Sequence, residues 1–138
     1  TEGKNCLVVG RSNIVGRPMS ILMSLRGRYG NSTVTLAHSK SKNLTELTLK
    51  ADIIIMALGI PEFLKSDMIK KDSTIIDVGI TRVEDKSKKR GYTIKGDVDF
   101  DSVSKKVKFL TPVPGGVGPM TIAMLLQNTL DARLSTLH

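Results

Sequence analysis

The stretch NCLVVGRSNIVGRP, which runs from Asn5 to Pro18, decides the fold class of this chain. Its apolar beginning predicts a buried strand over residues 5–10, and the residues that follow predict a turn leading into a helix. Gly10 and Gly16 permit a tight turn and the close approach of a ligand, and a helix N-terminus supplies free N–H groups. This order is typical of a dinucleotide-binding site. However, the second glycine follows the first by six positions, and the pattern also fits a purely structural turn.

The rest of the chain continues this alternation of strands and helices. Further strands are predicted at residues 33–37, 52–57, 73–79 and 107–110. The first helix is predicted to end near Arg28, and further helices are predicted at residues 44–50, 64–70, 100–105 and 119 to about 137, with a basic hairpin at 81–96. The strands lack period-two alternation and lie between helices, which indicates a parallel sheet covered on both faces. We therefore predict one α/β domain over residues 1–138, a doubly wound, mostly parallel, Rossmann-like sheet that binds ligands at the carboxyl ends of its strands.

Composition narrows the possible functions. The net charge of +8 is partly local, in residues 86–90, but only three Phe and two Tyr accompany the basic residues, so we expect no nucleic-acid partner. No apolar run approaches the roughly 18 residues of a membrane span, so no membrane partner is expected either. The single cysteine, Cys6, lies in a buried-strand pattern and excludes a disulfide framework. We therefore expect a packed, inert thiol and a reducing, cytoplasmic compartment.

The end of the second predicted strand indicates which nicotinamide cofactor fits. An NAD site usually has Asp or Glu there, on the ribose 2′-hydroxyl, but this strand runs into His38, Ser39 and Lys40. A hydroxyl and a cation suit a 2′-phosphate, and Arg11 can approach the same place from the first turn, which favours NADP over NAD. We interpret His38 as a surface histidine rather than a catalytic group, and Lys40 fits a solvated loop residue equally well.

A second unusual stretch, LTPVPGGVGPMT, runs from Leu110 to Thr121 and precedes the final helix. Its prolines stiffen an extended backbone, and its glycines remove Cβ atoms where a ligand must come close. Pro119 is expected at the first helical position, where its missing N–H costs nothing. The pattern predicts a rigid loop that presents bare backbone, at Gly115 and Gly116 above all, to a flat ligand. An irregular structural crossing is the alternative.

Several motifs, taken together, resemble one enzyme family. The resemblance is to the NADP-binding domain of the bifunctional methylenetetrahydrofolate dehydrogenase/methenyltetrahydrofolate cyclohydrolases, and it covers essentially the whole chain. Thr81 is a small departure, because many members carry Asn there. The motifs that carry the resemblance are Gly10-Arg11-Ser12-x-x-Val15-Gly16-x-Pro18-Met19, His38-Ser39, Asp77-Val78-Gly79-Ile80, Gly96-Asp97-Val98 and Pro112 to Thr121.

The resemblance implies a site divided between cofactor and folate. Gly10, Arg11 and Ser12 would hold the phosphates and the adenosine end of NADP. Ser39 would join Arg11 at the 2′-phosphate, and Ile80 would touch the nicotinamide half. The folate side of the cleft would be lined by nine consecutive residues, Pro112, Val113, Pro114, Gly115, Gly116, Val117, Gly118, Pro119 and Met120.

The resemblance also implies an activity and a companion domain. The family oxidises 5,10-methylenetetrahydrofolate by hydride transfer to NADP and hydrolyses the methenyl product to 10-formyltetrahydrofolate. Its catalytic lysine, and a tyrosine four residues earlier, belong to an N-terminal domain. Here Tyr29 and Tyr92 are followed four positions later by Thr33 and Gly96, so we assign no catalytic residue and no metal site to this chain.

We therefore expect a fragment of a longer enzyme that is inactive alone and that, by family resemblance, forms a homodimer. The apolar residues of the final helix cover more than the roughly 100° face needed for docking on a sheet, so a second apolar partner is expected, most simply the absent domain. The open alternative is a non-catalytic, NADP-binding regulatory module.

Overall fold

The computed structural model describes residues 1–136. Its strands are β1 Asn5–Val9, β2 Thr33–Ala37, β3 Ile53–Met56, β4 Thr74–Asp77, β5 Thr81–Glu84, β6 Tyr92–Lys95 and β7 Phe109–Leu110. Its α-helices are α1 Gly16–Ser24, α2 Leu44–Lys50, α3 Phe100–Val103 and α4 Val117–Ser135, and Ser66–Met68 forms one 3-10 turn. No helix among these residues is long and apolar enough to cross a bilayer.

Five strands form a parallel sheet in the order β2-β1-β3-β4-β7. The chain leaves β1 for β2 on one side and then returns to add β3 on the other side. This reversal creates a topological switch point between β1 and β3, and open α/β sheets bind ligands in the crevice outside such a point. The predicted fold class, a doubly wound and mostly parallel α/β sheet, is confirmed.

The two faces of the sheet are covered by different helices. On one face, alternate residues of β1 and β3 pack beneath α2 and α3, in a cluster that includes Leu7, Ile54 and Met56. On the other face, Cys6 and the remaining strand residues pack with Met23 of α1. Because both faces of the sheet are covered, β1 has apolar residues at consecutive positions rather than at alternate ones. Burial also raises the pKa of the Cys6 thiol to about 11, which agrees with the predicted inert cysteine.

Three predicted helices are shorter than expected, and one of them, α3, ends at Val103 rather than at residue 105. α1 ends at Ser24 rather than near Arg28, because the chain reverses direction after Leu25. The reversal brings Gly30 so close to Leu25 that a Cβ on Gly30 would lie 1.9 Å from the Leu25 carbonyl oxygen. The predicted helix over residues 64–70 reduces to the 3-10 turn. Leu64 instead forms a parallel bridge with Val98, and this long-range pairing holds its backbone extended.

The basic excursion at residues 81–96 is the predicted hairpin. β5 and β6 pair antiparallel, with Thr81 opposite Lys95 and Glu84 opposite Tyr92. The lysine-rich run 86–90 lies at its exposed tip. The hairpin therefore stands apart from the five-stranded sheet, on the chain segment that follows β4.

The final helix differs from expectation in its start and in its packing. α4 begins at Val117, so Pro119 occupies the third helical position rather than the first; this is still within the turn whose N–H groups lack helical partners. The predicted end near Leu137 lies outside the described residues. From Gly118 onward every described residue of α4 is exposed, so neither face of the helix is docked. Its large apolar side chains are 48–67% exposed: Met120, Ile122, Met124, Leu125, Leu126, Leu130 and Leu134.

Candidate functional site

The parallel sheet brings the predicted site residues to one edge. In the register, Val9 lies opposite both Ala37 and Met56, and Met56 lies opposite Asp77, so four strands end level with one another. The segments that leave these strands carry residues 10–12, 38–40 and 78–80, and residues 112–120 follow β7. The predicted cofactor and substrate residues therefore lie on segments that leave the carboxyl edge, and the first turn lies at the switch point between β1 and β3.

The glycines of the first turn are required by close backbone contacts. Gly10 has φ +120°, and a Cβ there would lie 2.2 Å from the carbonyl oxygen of Ala57, which follows β3. A Cβ on Gly16 would lie 1.9 Å from the Gly10 carbonyl oxygen. The turn therefore packs tightly against the residue that follows β3, and its two glycines pack against each other. This packing fixes α1 with its N-terminus at the crevice, which is the arrangement that binds phosphate in dinucleotide sites.

The Ser12 side chain accepts backbone N–H groups at the start of α1. Its Oγ accepts the N–H groups of Val15 at 3.1 Å and Gly16 at 3.4 Å. These two bonds use the acceptor capacity of the hydroxyl and leave its O–H free to donate. Ser12 and the neighbouring Arg11 are both exposed, so a donor and a cation face solvent beside the helix N-terminus.

The segment after β2 forms a closed turn that presents Ser39. The Ser41 N–H donates to the His38 carbonyl oxygen at 2.8 Å, and the His38 N–H donates to Ser41 Oγ at 3.0 Å. Ser39 and Lys40 lie exposed within this turn. The turn therefore offers a hydroxyl and an ammonium group, and no carboxylate, at the position where an NAD site usually has an acid.

Two buried carboxylates hold the loops of this edge together. Asp77, 3% exposed, accepts the N–H groups of Gly79 at 2.9 Å, Asp97 at 3.0 Å and Val98 at 2.9 Å. Asp97 has no exposed surface, and it accepts three successive N–H groups from the loop after β3: Leu58 at 2.6 Å, Gly59 at 3.0 Å and Ile60 at 2.8 Å. Together the two side chains tie the exits of β3, β4 and β6 into one unit.

Burial raises the pKa of Asp77, and the three N–H donors partly oppose this shift. Both aspartates belong to the motifs Asp77-Val78-Gly79-Ile80 and Gly96-Asp97-Val98, but the sequence pattern assigned neither of them a role. A signal was present in the sequence, because Asp77 ends the mostly apolar strand β4 two residues before Gly79, and Asp97 directly follows Gly96.

An open cavity of about 590 Å³ lies between the exit of β4, the hairpin and the loop before α4. Ile80 and Ile94 form one side of it, and Ile122 of α4 contributes from another side. Gly10, Arg11, Ser12 and Ser39 do not line it. Eight of the nine predicted folate residues do, Met120 being the exception: Pro112, Val113, Pro114, Gly115, Gly116, Val117, Gly118 and Pro119.

The loop before α4 is anchored to β4 and then opens toward the cavity. Thr111 Oγ1 accepts the Asp77 N–H at 2.8 Å. Gly115 has φ +101°, and no atom lies within 4 Å of an ideal Cβ on Gly115 or Gly118. Gly116 differs from the expected bare-backbone role, since a Cβ there would lie 2.4 Å from the Pro112 carbonyl oxygen. Packing within the loop requires glycine at 116, whereas Gly118 faces open space.

A parallel sheet with a switch point, a glycine turn closed on α1 and an open crevice along its carboxyl edge define an α/β dinucleotide-binding domain. Residues 1–136 match the family described as tetrahydrofolate dehydrogenase/cyclohydrolase, NAD(P)-binding domain, and the chain belongs to this family.

Curated relatives and solved structures agree with this assignment. The chain is 71% identical over 133 residues to the bifunctional protein FolD of Flavobacterium johnsoniae, a match that spans 96% of this chain and 45% of that protein. The bifunctional enzyme FolD of Campylobacter jejuni is 48% identical with a TM-score of 0.84, and the match covers 98% of this chain and 44% of that one. The Trypanosoma brucei enzyme, solved with NADP cofactor and inhibitor, is 41% identical with a TM-score of 0.85 over 94% of this chain and 43% of that one. The chain thus spans a little under half the length of the relatives it matches.

Proposed function

We propose that this chain is the NADP-binding half of a bifunctional methylenetetrahydrofolate dehydrogenase/cyclohydrolase. The observation that carries the proposal is the acid-free turn after β2, which shares an edge with the first glycine turn and Arg11. The NADP bound to the similar Trypanosoma brucei enzyme supports the same cofactor. When bound, NADP supplies the hydride acceptor, and the protein supplies orientation and electrostatics.

Residues along the carboxyl edge of the sheet would each bind a different part of NADP. The closed turn at Gly10 would let the pyrophosphate approach the N-terminus of α1, where the positive end of the helix dipole favours an anion and the Ser12 O–H can donate. Arg11 would bind the 2′-phosphate through an ion pair with hydrogen bonds, and the Ser39 hydroxyl would donate to a charged phosphate oxygen. Ile80, 66% exposed beside the cavity, would pack against the nicotinamide half.

The cavity beyond Ile80 would receive the folate. Its polar atoms are few, and the loop 112–119 forms much of its wall with proline rings and unsubstituted backbone. Such a surface matches a flat, fused ring, because glycine removes the side chains that would hold the ring away. The residues of this wall would orient the methylene bridge toward the nicotinamide and would exclude water from one side of it.

The remainder of the enzyme would complete the site. We propose a companion N-terminal domain that carries the family's tyrosine and lysine, and we propose that the exposed apolar residues of α4 pack against it. A homodimer and a cytoplasmic location are part of the same proposal, the latter supported by the single, buried, unreactive thiol. A non-catalytic regulatory module has less support, because the similar curated relatives are named as bifunctional proteins.

Titration of the chain with NADPH and with NADH tests the cofactor assignment directly. We expect tighter binding of NADPH, because only this cofactor carries the 2′-phosphate. Quenching of intrinsic fluorescence is unsuitable because the chain has no Trp, so the emission of the reduced nicotinamide or calorimetry should be measured. Equal affinities for the two cofactors would contradict the assignment.

A further inference from the structure

His38 closes the turn that carries Ser39 through an unusual acceptor. Its Nδ1 atom accepts the backbone N–H of Lys40 at 3.1 Å. Asp and Asn side chains make the equivalent bond to the N–H two residues on, and this interaction fixes an Asx turn. In the present arrangement Nδ1 is therefore the acceptor that fixes the Lys40 N–H.

We propose that His38 is a positioning residue for cofactor selectivity. It fixes an Asx-like turn without the negative charge of an aspartate, and the turn then directs Ser39 and Lys40 at the 2′-phosphate. An aspartate at position 38 would make the same backbone bond, but its carboxylate would repel the phosphate and suit a ribose 2′-hydroxyl instead. This inference rests on the proposed NADP-binding function.

Three hydrogen bonds give the turn a defined shape. Besides the imidazole bond, the His38 N–H donates to Ser41 Oγ and the Ser41 N–H donates to the His38 carbonyl oxygen. The His38 and Ser41 side chains thus brace the turn from both ends, while Ser39 and Lys40 between them stay exposed. Within residues 1–136 the Ser39 hydroxyl has no hydrogen-bond partner, so its donor and acceptors are available to a ligand.

A set of substitutions at one position separates geometry from charge. His38→Asn retains the acceptor for the Lys40 N–H, and we expect it to keep the ratio of NADPH to NADH affinity. His38→Leu removes the acceptor, and we expect the ratio to fall about threefold to tenfold, the range for one net hydrogen bond, with NADH affinity unchanged. His38→Asp retains the turn but adds the charge, and we expect at least a roughly tenfold fall in the ratio, mainly through loss of NADPH affinity.

Ser41→Ala supplies an independent test of the same turn, because it removes the acceptor of the His38 N–H and should lower the ratio in the same direction as His38→Leu. Thr45→Ala, on the exposed surface of α2, is the matched control and should leave the ratio unchanged. If His38→Leu and Ser41→Ala both keep the ratio of NADPH to NADH affinity of the unsubstituted chain, the proposal is overturned. Equal binding of NADPH and NADH by the unsubstituted chain would instead contradict the proposed function itself, so the two failures are distinguishable.

Discussion

An ideal Cβ atom on Gly96 would lie 2.0 Å from Asp77 Oδ2. The relation is reciprocal, because a Cβ on Gly79 would lie 2.3 Å from the carboxyl group of Asp97. Each glycine therefore makes room for the buried carboxylate of the other segment, and the exits of β4 and β6 interlock. This arrangement fixes Ile80, which follows Gly79, at the mouth of the cavity.

We predict that Gly96→Ala destabilises the domain. The new methyl group must displace a carboxylate that holds three N–H groups, and overpacking of this kind costs about 1–3 kcal/mol. Gly118→Ala is the matched control, because nothing lies within 4 Å of its Cβ, and its free energy of unfolding should be unchanged or slightly higher. Urea denaturation of both variants measures the difference, and equal stabilities would argue against the interlock.

The pH dependence of stability is predicted to include a contribution from Asp52. Hydrogen bonds from Lys70 and from the Asn5 N–H lower its pKa below the ordinary value of 3.8. A carboxyl group with a lowered folded-state pKa stabilises the fold above its unfolded pKa, and this contribution is lost as pH falls through the folded pKa. Since the Lys70 side chain is 38% exposed, solvent screening limits the contribution at pH 7 to about 1 kcal/mol.

Asp52→Asn tests this expectation. The variant should be less stable than the unsubstituted chain at pH 7, and the difference should shrink below about pH 3.8, where the unfolded-state carboxyl is protonated. Asp67→Asn, which removes the same charge from the 3-10 turn, is the control. Chemical denaturation at several pH values gives the comparison, and a stability difference that stays constant with pH would contradict the assigned role.

Arg11→Ala should narrow the gap between NADPH and NADH. Loss of a charge-assisted phosphate contact costs about 1.5–3 kcal/mol, roughly a tenfold to hundredfold loss of NADPH affinity, whereas NADH lacks the phosphate. Arg28→Ala removes the same charge beyond the C-terminal end of α1, where the chain lies near the start of β1 at the opposite edge of the sheet. A similar effect of both variants would indicate a general charge effect rather than a contact.

The bare-backbone role of the loop before α4 is best tested at Gly118. With the companion domain present, Gly118→Val should raise the KM for folate while leaving NADPH binding unchanged, because the new side chain would project into the cavity. Gly118→Ala should have a smaller effect. Gly116→Val is unsuitable for this purpose, because its Cβ would collide with the Pro112 carbonyl oxygen and disturb the loop itself. Unchanged folate kinetics in Gly118→Val would contradict the proposed contact.

Residue patterns predicted the features that depend on local sequence. The apolar runs of β1 and β3, the glycines of the first turn and the absence of an acid after β2 were enough for the fold and for the edge that carries the candidate site. The missed features depend on contacts between distant segments. Leu64 is extended because it pairs with Val98, and Asp97 is buried because the loop after β3 supplies its donors, 37 to 39 residues earlier in the chain.

We predict finally that this chain alone binds NADPH but does not oxidise methylenetetrahydrofolate. The first turn, the turn after β2 and the loop before α4 would supply one wall of the proposed cleft, and the family's lysine has no assigned counterpart in this sequence. Hydride transfer requires two rings to be held in near-attack geometry, an advantage of about 7–11 kcal/mol in favourable cases, and one wall cannot hold both rings. NADPH formation should be followed at saturating NADP and folate, with and without the separately expressed companion domain. Turnover by the isolated chain would place the catalytic groups within residues 1–138, whereas turnover only after the domain is added would support their proposed location.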